Sequence, residues 1–179
     1  MRSRTLCTIL LAAFATAASA EVVDVAPSGF VVRLEALVTG APDTAYRATV
    51  DIGKWWNPAH SYSGDGANLS IDARPGGCFC EKLPNDGGVQ HMTVVFAAPG
   101  RTLRMTGGLG PLQGVGVAGS MTWRFTAVPT GTKIDLDYRV GGHMQGGFEK
   151  IAPAVNGVLN EQLARLKSLI DTGNPVAAK

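Results

Sequence analysis

Glu81 is the residue of this sequence whose type and position best suit chemistry. It ends the segment "GGCFCE", in which apolar and polar residues alternate as in a strand. If residues 84–87 form the next turn, Glu81 faces Gln90 on the same side as Phe79 and Met92. A carboxylate in such apolar surroundings is expected to have a raised pKa, which suits a general acid or a hydrogen-bond anchor for a ligand. The alternative is a structural hydrogen bond to Gln90, a loop amide or water.

The same register places Cys78, Cys80 and His91 together on the opposite, outer face of the sheet. Two thiolates and an imidazole suit a soft metal, but no fourth ligand is evident and the spacing matches no zinc pattern. We therefore predict no metal site. A disulfide between strand residues two apart would need strained geometry, so free cysteines are favoured, with a bridge as the alternative.

His60 and Tyr138 are the other residues that could assist acid–base chemistry. His60 lies beside Ser61 and Tyr62 in a loop, where a solvated histidine is the ordinary expectation. Neither residue belongs to a nucleophilic triad that the sequence reveals. We assign no catalytic residue and keep Glu81, Tyr138 and His60 as candidates.

Two adjacent tryptophans, Trp55 and Trp56, precede a loop over residues 57–68. Side chains of neighbouring helical residues diverge by roughly 100°, so only one indole can point fully inward. We expect one to line the mouth of a pocket and the other to pack beneath the loop. The alternative is that both are ordinary core residues.

These residues must be positioned by a run of strands followed by a helix. Alternating hydrophobicity and turn residues predict seven strands, at 30–38, 69–74, 77–83, 88–96, 101–106, 115–126 and 132–140. A short helix opening at Pro42 follows the first strand. Apolar residues at helical spacing predict a long C-terminal helix that begins near Ala152, with Pro153 in its first turn.

Matching the faces of successive strands predicts a large apolar inner wall. The hairpins pair Phe79 with Met92, Phe96 with Leu103, Val94 with Met105, Phe125 with Ile134, Trp123 with Leu136, and Met121 with Tyr138. One helix cannot fill such a curved wall, so we expect a cavity for a small molecule. The predicted ligand-binding residues are Trp55, Trp56, Phe79, Glu81, Gln90, Met92, Val94, Met105, Met121, Trp123, Leu136, Tyr138, Ile151, Val155 and Leu159.

The segment 107–120, "GGLGPLQGVGVAGS", is rich in glycine but has no lysine. It therefore does not match a nucleotide-binding loop. We expect it to form a flexible flap between two strands at the entrance of the cavity.

The order of these elements, with "WWNPAHSYSGD", "GGCFCE", "APGRTLRMTGGLGPL" and "IAPAVNGVLNEQLARL", resembles the START-like superfamily, also called SRPBCC or helix-grip. These motifs are similar to the branch that includes polyketide-cyclase-like proteins and bacterial relatives of the chaperone-ATPase activators. The resemblance covers residues 24–170. It implies an α+β helix-grip fold: a curved seven-stranded antiparallel sheet around the C-terminal helix, with short helices between strands 1 and 2. It also implies a pocket for hydrophobic molecules such as lipids, sterols, hormones or polyketides.

The N-terminus is typical of a secretory signal peptide. Arg2 and Arg4 precede a short apolar stretch, and Ala18-Ser19-Ala20 matches a cleavage site, so we expect residues 1–20 to be removed. The apolar stretch is shorter than the ~20 residues of a membrane helix, and we expect no integral membrane segment after cleavage. Residues 21–172 are expected to form one domain and 173–179 a flexible tail.

Cleavage would remove two arginines and lower the formal net charge from +2 to 0. A neutral protein has no electrostatic footprint for nucleic acid, so we expect no nucleic-acid partner. We predict a monomeric periplasmic or secreted protein that binds a small hydrophobic molecule without a cofactor. The alternatives are a cyclase, dehydratase or hydrolase that acts on such a molecule, or a protein-interaction module.

Overall fold

The computed structural model describes residues 20–176, which contain strands, two α-helices and short 3₁₀ turns. The strands are β1 (Ala20–Ala26), β2 (Gly29–Val38), β3 (Leu69–Ile71), β4 (Cys78–Lys82), β5 (Gly88–Ala98), β6 (Thr102–Gly107), β7 (Val117–Val128) and β8 (Gly131–Gly142). The helices are α1 (Pro42–Val50) and α2 (Ile151–Thr172). The predicted signal peptide lies outside the described residues, apart from Ala20 at the start of β1.

These strands form one antiparallel sheet in the order β1-β2-β8-β7-β6-β5-β4-β3, and α2 packs on β2 and β1. The predicted α+β helix-grip architecture is confirmed, including the short helices between the first two predicted strands. The predicted strand number is wrong, because β1 adds an eighth strand that pairs with β2. The register of β1 shifts between Val22 and Asp24, so no regular two-residue period marks it in the sequence.

The hairpin of β7 and β8 confirms the predicted register. Met121 pairs with Tyr138, and Trp123 pairs with Leu136. Phe125 pairs with Ile134 in the same uninterrupted ladder. Because this hairpin contains no bulge, alternation alone assigns its apolar side chains to the correct face.

Two bulges in β5 change the register that regular alternation predicts. Phe79 pairs with Met92 as expected, but Cys80 then pairs with Gln90 and Glu81 with Val89, which leaves His91 as the extra residue. The predicted pairs of Glu81 with Gln90 and of Cys80 with His91 are therefore wrong. A bulge adds one unpaired residue and bends the strand, and alternation of residue types does not reveal it.

The second bulge lies between Val94 and Phe96. Val94 pairs with Met105 as predicted, but Phe96 pairs with Arg104 instead of Leu103. Phe96 is consequently 47% exposed, and the Arg104 guanidinium lies 5.7 Å from the centre of its ring. The predicted place of Phe96 on the inner wall is wrong.

Helix α2 begins at Ile151, which agrees with the predicted start near Ala152. Pro153 is tolerated in its first turn because the first N–H groups of a helix have no intrahelical acceptor. Leu159, Leu163 and Leu166 are buried on the face toward the sheet. The helix ends at Gly173, whose φ of +79° suits a glycine and whose N–H donates to the Leu169 carbonyl at 2.9 Å.

Candidate ligand-binding cavity

A cavity of about 350 Å³ lies at one end of the sheet, between the first half of α2 and two loops. Most of its wall is apolar, and the polar side chains are few. The lining residues are Trp56, Ala59, His60, Ser61, Tyr62, Leu69, Phe79, His91, Leu109, Gly110, Pro111, Ile151, Ala154, Val155, Val158 and Leu159. Its volume falls at the lower end of the ~300–1,000 Å³ typical of small-molecule sites.

Five of the predicted ligand-binding residues line this cavity. They are Trp56, Phe79, Ile151, Val155 and Leu159. The structure therefore brings one side of the predicted wall and the start of α2 together around a single space. That these side chains contact a ligand stays a prediction.

Most of the other predicted ligand-binding residues lie in the packed core instead. Trp55, Met92, Val94, Met105, Met121, Trp123, Leu136 and Tyr138 are each at most 2% exposed and do not line the cavity. The expected large hollow is thus mostly filled, because these side chains pack with those of α2 and the loops into one buried apolar cluster.

Both tryptophans are buried with their ring centres 5.7 Å apart, and neither lies in a helix, so the argument from helical divergence does not apply to them. One lines the cavity, as expected, whereas the other packs on α1 and Trp123. Trp56 lines the cavity, and its Nε1–H donates to the His60 carbonyl at 2.9 Å. Trp55 is fully buried, with its ring 6.1 Å from that of Trp123, and its Nε1–H donates to the Ala48 carbonyl of α1 at 2.9 Å. The first tryptophan therefore fixes α1 to the sheet, and the second forms part of the cavity wall.

Side chains of α2 hold the loop at the cavity mouth. The Asn57 N–H donates to Gln162 Oε1 at 2.7 Å, and the Asn57 side-chain amide donates to Glu161. His60 Nε2 lies 3.0 Å from Glu161 Oε2. Burial alone would raise the pKa of Glu161, but the hydrogen bonds from Asn57 and His60 lower it below its ordinary value. His60 thus lies at the cavity as expected, with one ring nitrogen engaged by the helix.

Glu81 is 1% exposed but does not line the cavity. Its carboxylate accepts hydrogen bonds from the Tyr62 N–H at 3.2 Å, the Ser63 N–H at 2.5 Å and His91 Nε2 at 3.0 Å. Burial would raise the pKa of Glu81, but these donors outweigh it, and the pKa falls below its ordinary value. The expected raised pKa is therefore wrong, and Glu81 is an ionised acceptor that holds the 62–63 backbone.

His91 lies inside the protein, so its predicted place on the outer face is wrong. It is 6% exposed and lines the cavity because the bulge in β5 turns it toward Glu81. Its ring lies 4.8 Å from that of Phe79 and stacks at 6.0 Å on Tyr62. Burial lowers the pKa of His91, and the hydrogen bond with Glu81 offsets only part of that effect.

Cys78 and Cys80 form a disulfide, so the favoured prediction of free cysteines is wrong. Their Cα atoms lie 5.4 Å apart, within the ~4.4–6.8 Å range of disulfides, beside the bulge that breaks the regular ladder. Because a bridged cysteine offers no thiolate, these residues cannot form the metal set that the sequence allowed. Among residues 20–176, no group of three His, Cys, Asp or Glu side chains could hold a metal ion.

Gln90 also differs from its predicted position. It is exposed on the outer side of the sheet, and its Nε2 donates to Thr93 Oγ1 at 2.6 Å. The bulge at His91 is again the reason, since Gln90 pairs with Cys80 and not with Glu81. The predicted contact of Gln90 with a ligand at the inner wall has no geometric basis.

Tyr138 supports a loop from within the core. Its hydroxyl accepts a hydrogen bond from the Leu109 N–H at 3.2 Å and donates to the Gly107 carbonyl at 3.4 Å. Burial raises the pKa of Tyr138 to about 12, so the group stays a neutral phenol. Gly119 is required under this ring, because an added Cβ would lie 2.5 Å from it. The 107–120 segment thereby lies at the cavity, as expected, and contributes to its wall Leu109, Gly110 and Pro111.

The sequence of the chain matches a family profile over most of its length. The profile is that of polyketide cyclase/dehydrase and lipid transport proteins, and it matches residues 30–171. The chain belongs to this family. The predicted resemblance to polyketide-cyclase-like proteins of the SRPBCC superfamily is confirmed. A search of curated proteins found no match.

Solved structures with the same fold include three bacterial proteins of low sequence identity. Protein CV1439 from Chromobacterium violaceum is 18% identical, with a TM-score of 0.56, over 79% of this chain and 96% of that chain. CalU16 from Micromonospora echinospora is 15% identical, with a TM-score of 0.59, over 90% and 88%. The Aha1 dimer from Colwellia psychrerythraea is 16% identical, with a TM-score of 0.56, over 80% and 97%. At these identities, the likeness establishes the fold alone.

In this polyketide cyclase/dehydrase and lipid transport family member, sequence reasoning missed several cavity residues. Ala59, Tyr62, Leu109 and Val158 come from loops or from the flank of α2, where no alternation marks a buried face. Sequence reasoning missed His91 because the alternation of polar and apolar residues does not reveal a bulge.

The described part of the chain contains no helix long and apolar enough to cross a membrane.

Proposed function

We propose that this protein binds a compact hydrophobic molecule in the cavity beside α2 and carries or senses it outside the cytoplasm. The observation that carries the proposal is the mostly apolar wall that Trp56, Phe79, Val155 and Leu159 form around an accessible space. Burial of apolar ligand surface supplies roughly 25 cal/mol per Å². Membership of a family described by lipid transport supports the same ligand class.

The size of the cavity favours a ligand of a few rings or a short chain. A volume of about 350 Å³ is small for this kind of site, and the apolar core occupies the rest of the sheet. Met92, Met105 and Met121, whose flexible side chains would let a wall adapt to varied ligands, lie in that core and not in the cavity wall.

Binding of N-phenyl-1-naphthylamine, a dye whose fluorescence rises in apolar surroundings, tests the proposal. We expect saturable binding to the wild-type protein. Val155→Trp places an indole in the cavity and should weaken binding by roughly tenfold or more, because the lost apolar contact exceeds about 1.4 kcal/mol. The matched control is Val95→Trp, at a side chain that is 45% exposed and does not line the cavity. Equal affinities of the two variants would contradict the proposed site.

The proposed location outside the cytoplasm rests on the predicted signal peptide. N-terminal sequencing of the protein from the periplasm or culture medium should begin at Glu21. A full-length chain that begins at Met1 and stays with the cytoplasmic fraction would overturn this part of the proposal and leave ligand binding untouched.

The enzymatic alternative required Glu81, Tyr138 and His60 to converge on one point of the cavity. Of these three residues, only His60 lines it. The Tyr138 hydroxyl is engaged with the 107–109 backbone, and Glu81 is an ionised acceptor for backbone N–H groups. The geometry therefore favours binding over catalysis by that set.

A further inference from the structure

One buried polar atom of the cavity wall has no hydrogen-bond partner among residues 20–176. It is Nδ1 of His91. The other buried side-chain atoms without a partner belong to Tyr46, Asn156, Asn160 and Gln162, and none of these residues lines the cavity. His91 is thus the residue that combines a place in the cavity wall with an unsatisfied polar atom. Because Nδ1 has almost no accessible surface, a ligand reaches it only when a neighbouring side chain moves.

The chemistry of the neighbouring carboxylate determines which ring nitrogen carries the proton. Glu81 is ionised and can only accept hydrogen bonds, so Nε2 of His91, 3.0 Å from it, must be the donor. In a neutral imidazole the other nitrogen then has a free lone pair. Burial keeps the ring neutral near pH 7 because it lowers the pKa of His91. Nδ1 is therefore an acceptor.

The other polar side chains of the cavity are already engaged or lie at its mouth. Ser61 Oγ donates to the Pro58 carbonyl at 2.8 Å, and His60 Nε2 is bonded to Glu161. Tyr62 is 55% exposed and stacks on the His91 ring at 6.0 Å, so it is the neighbour most free to move aside for a ligand. A buried acceptor left without a donor costs about 1–3 kcal/mol, which a ligand donor would relieve.

We propose that Nδ1 of His91, oriented by Glu81, is the hydrogen-bond acceptor of the cavity and selects compact hydrophobic ligands that carry a hydroxyl group, such as phenols. This inference rests on the proposed function, because it assigns a polar contact within the same cavity. Glu81 acts as a positioning residue: it fixes the tautomer and the orientation of the ring and does not touch the ligand.

A pair of probes of nearly equal size separates hydroxyl recognition from apolar burial. 2-Naphthol has a donor where 2-methylnaphthalene has a methyl group, and burial alone favours the methyl compound. We expect the wild-type protein to bind 2-naphthol roughly five- to tenfold more tightly, the effect of one hydrogen bond. His91→Phe keeps an aromatic ring beside Phe79 and should abolish or reverse the preference. His143→Phe, at an exposed histidine that does not line the cavity, should retain it.

A measurement on the wild-type protein covers the case in which His91→Phe does not fold. Long-range ¹H–¹⁵N NMR of the imidazole should show a proton on Nε2 and none on Nδ1. The Nδ1 resonance should shift on addition of 2-naphthol and not on addition of 2-methylnaphthalene. A proton on Nδ1, or the same shift with both probes, would overturn the assignment.

The outcomes separate this inference from the proposed function. If both probes bind the wild-type protein at the cavity with 2-methylnaphthalene equal or tighter, the hydroxyl acceptor is wrong and the hydrophobic site stands. If neither probe binds, both proposals fail for aromatic ligands.

Discussion

At the scale of single residues, the molecule shows how local donors decide the charge state of a buried group. Glu81 is almost completely buried, which by itself favours a neutral acid. Two backbone N–H groups and His91 Nε2 point at its carboxylate and reverse that tendency. The same carboxylate sets the tautomer of His91, so a group outside the cavity controls the hydrogen bonding of a group in its wall.

Glu81→Gln should loosen the loop at the cavity mouth. The amide keeps one acceptor oxygen but turns an NH₂ group toward N–H donors, so we expect a loss of about 1–3 kcal/mol in the free energy of unfolding. Hydrogen exchange should accelerate at the Tyr62 and Ser63 amides. Glu149→Gln, at an exposed position, is the matched control and should change neither quantity. Unchanged exchange at both amides in Glu81→Gln would contradict this role.

The stability of the protein should fall as the pH drops below neutrality. The pKa values of His91 and Glu81 are lowered in the folded state from ordinary values of 6.5 and 4.5, so the unfolded chain takes up protons first. The contribution of these two groups to the free energy of unfolding is complete above pH 6.5. It declines as the pH falls toward their pKa values in the folded state. Urea unfolding at pH 7.5 and 5.5 measures it.

Removal of the imidazole should flatten this pH dependence. We expect His91→Phe to lose less stability than the wild-type protein between pH 7.5 and 5.5, because it has no buried base to protonate on unfolding. His143→Gln, at an exposed histidine, should keep the wild-type slope. Identical slopes for all three proteins would argue against a buried neutral His91.

At the scale of elements, strand β5 and helix α2 have opposite roles. Two bulges bend β5, and the first of them turns His91 inward beside the disulfide of β4. Helix α2 is regular from Ile151 to Thr172 and presents Val155 and Leu159 to the cavity and Leu163 to the core. The irregular element supplies the polar group, and the regular one supplies the apolar wall.

A glycine within α2 and the glycine that follows its last residue should respond oppositely to alanine. Gly173 has a φ of +79°, which alanine adopts poorly, so Gly173→Ala should lower the free energy of unfolding by about 1 kcal/mol. Gly157 lies within the helix with open space around an added Cβ, so Gly157→Ala should raise it by roughly 0.5–1 kcal/mol. Urea unfolding compares them, and effects of the same sign would be inconsistent with these helix bounds.

The disulfide should contribute modestly to stability because it closes a very short loop. Replacement of both Cys78 and Cys80 by serine should cost about 1–2 kcal/mol by the chain-entropy relation for three residues. Alkylation before and after treatment with dithiothreitol, followed by peptide mass spectrometry, should label the two residues only after reduction. Full labelling of the untreated protein would show that the bridge is not formed.

At the scale of the whole molecule, the sheet and α2 close around a solid core with a cavity at one end. Leu159 and Leu163 are four residues apart on one face of the helix, and both are buried. Leu159 lines the cavity, whereas Leu163 lies outside its wall. One helix therefore serves as a wall of the site in its first half and as core packing in its second.

This division predicts different effects of the same substitution at the two positions. Leu163→Ala should cost about 3–5 kcal/mol, and Leu159→Ala about 2–3 kcal/mol, because part of the Leu159 surface faces the cavity and makes fewer contacts. Only Leu159→Ala should change the affinity for N-phenyl-1-naphthylamine. Urea unfolding and dye titration measure the two effects. A change of dye affinity in Leu163→Ala would place the site elsewhere.

The sequence by itself determined most of the regular elements, from β2 to α2, and their order. The period of α2 and the register of β7 with β8 follow from local geometry, which residue types report directly. The same patterns carried the resemblance that identified the helix-grip fold.

Only the tertiary structure decided the eighth strand, the disulfide, the charge state of Glu81 and the place of His91. Each of these depends on a backbone irregularity or on hydrogen-bond donors from a segment distant in sequence. The alternation of polar and apolar residues reveals neither. The place of the cavity was decided at the same level, because Trp55, Met105 and Trp123 pack into the core and the cavity lies at the end of the sheet beside the 56–62 loop.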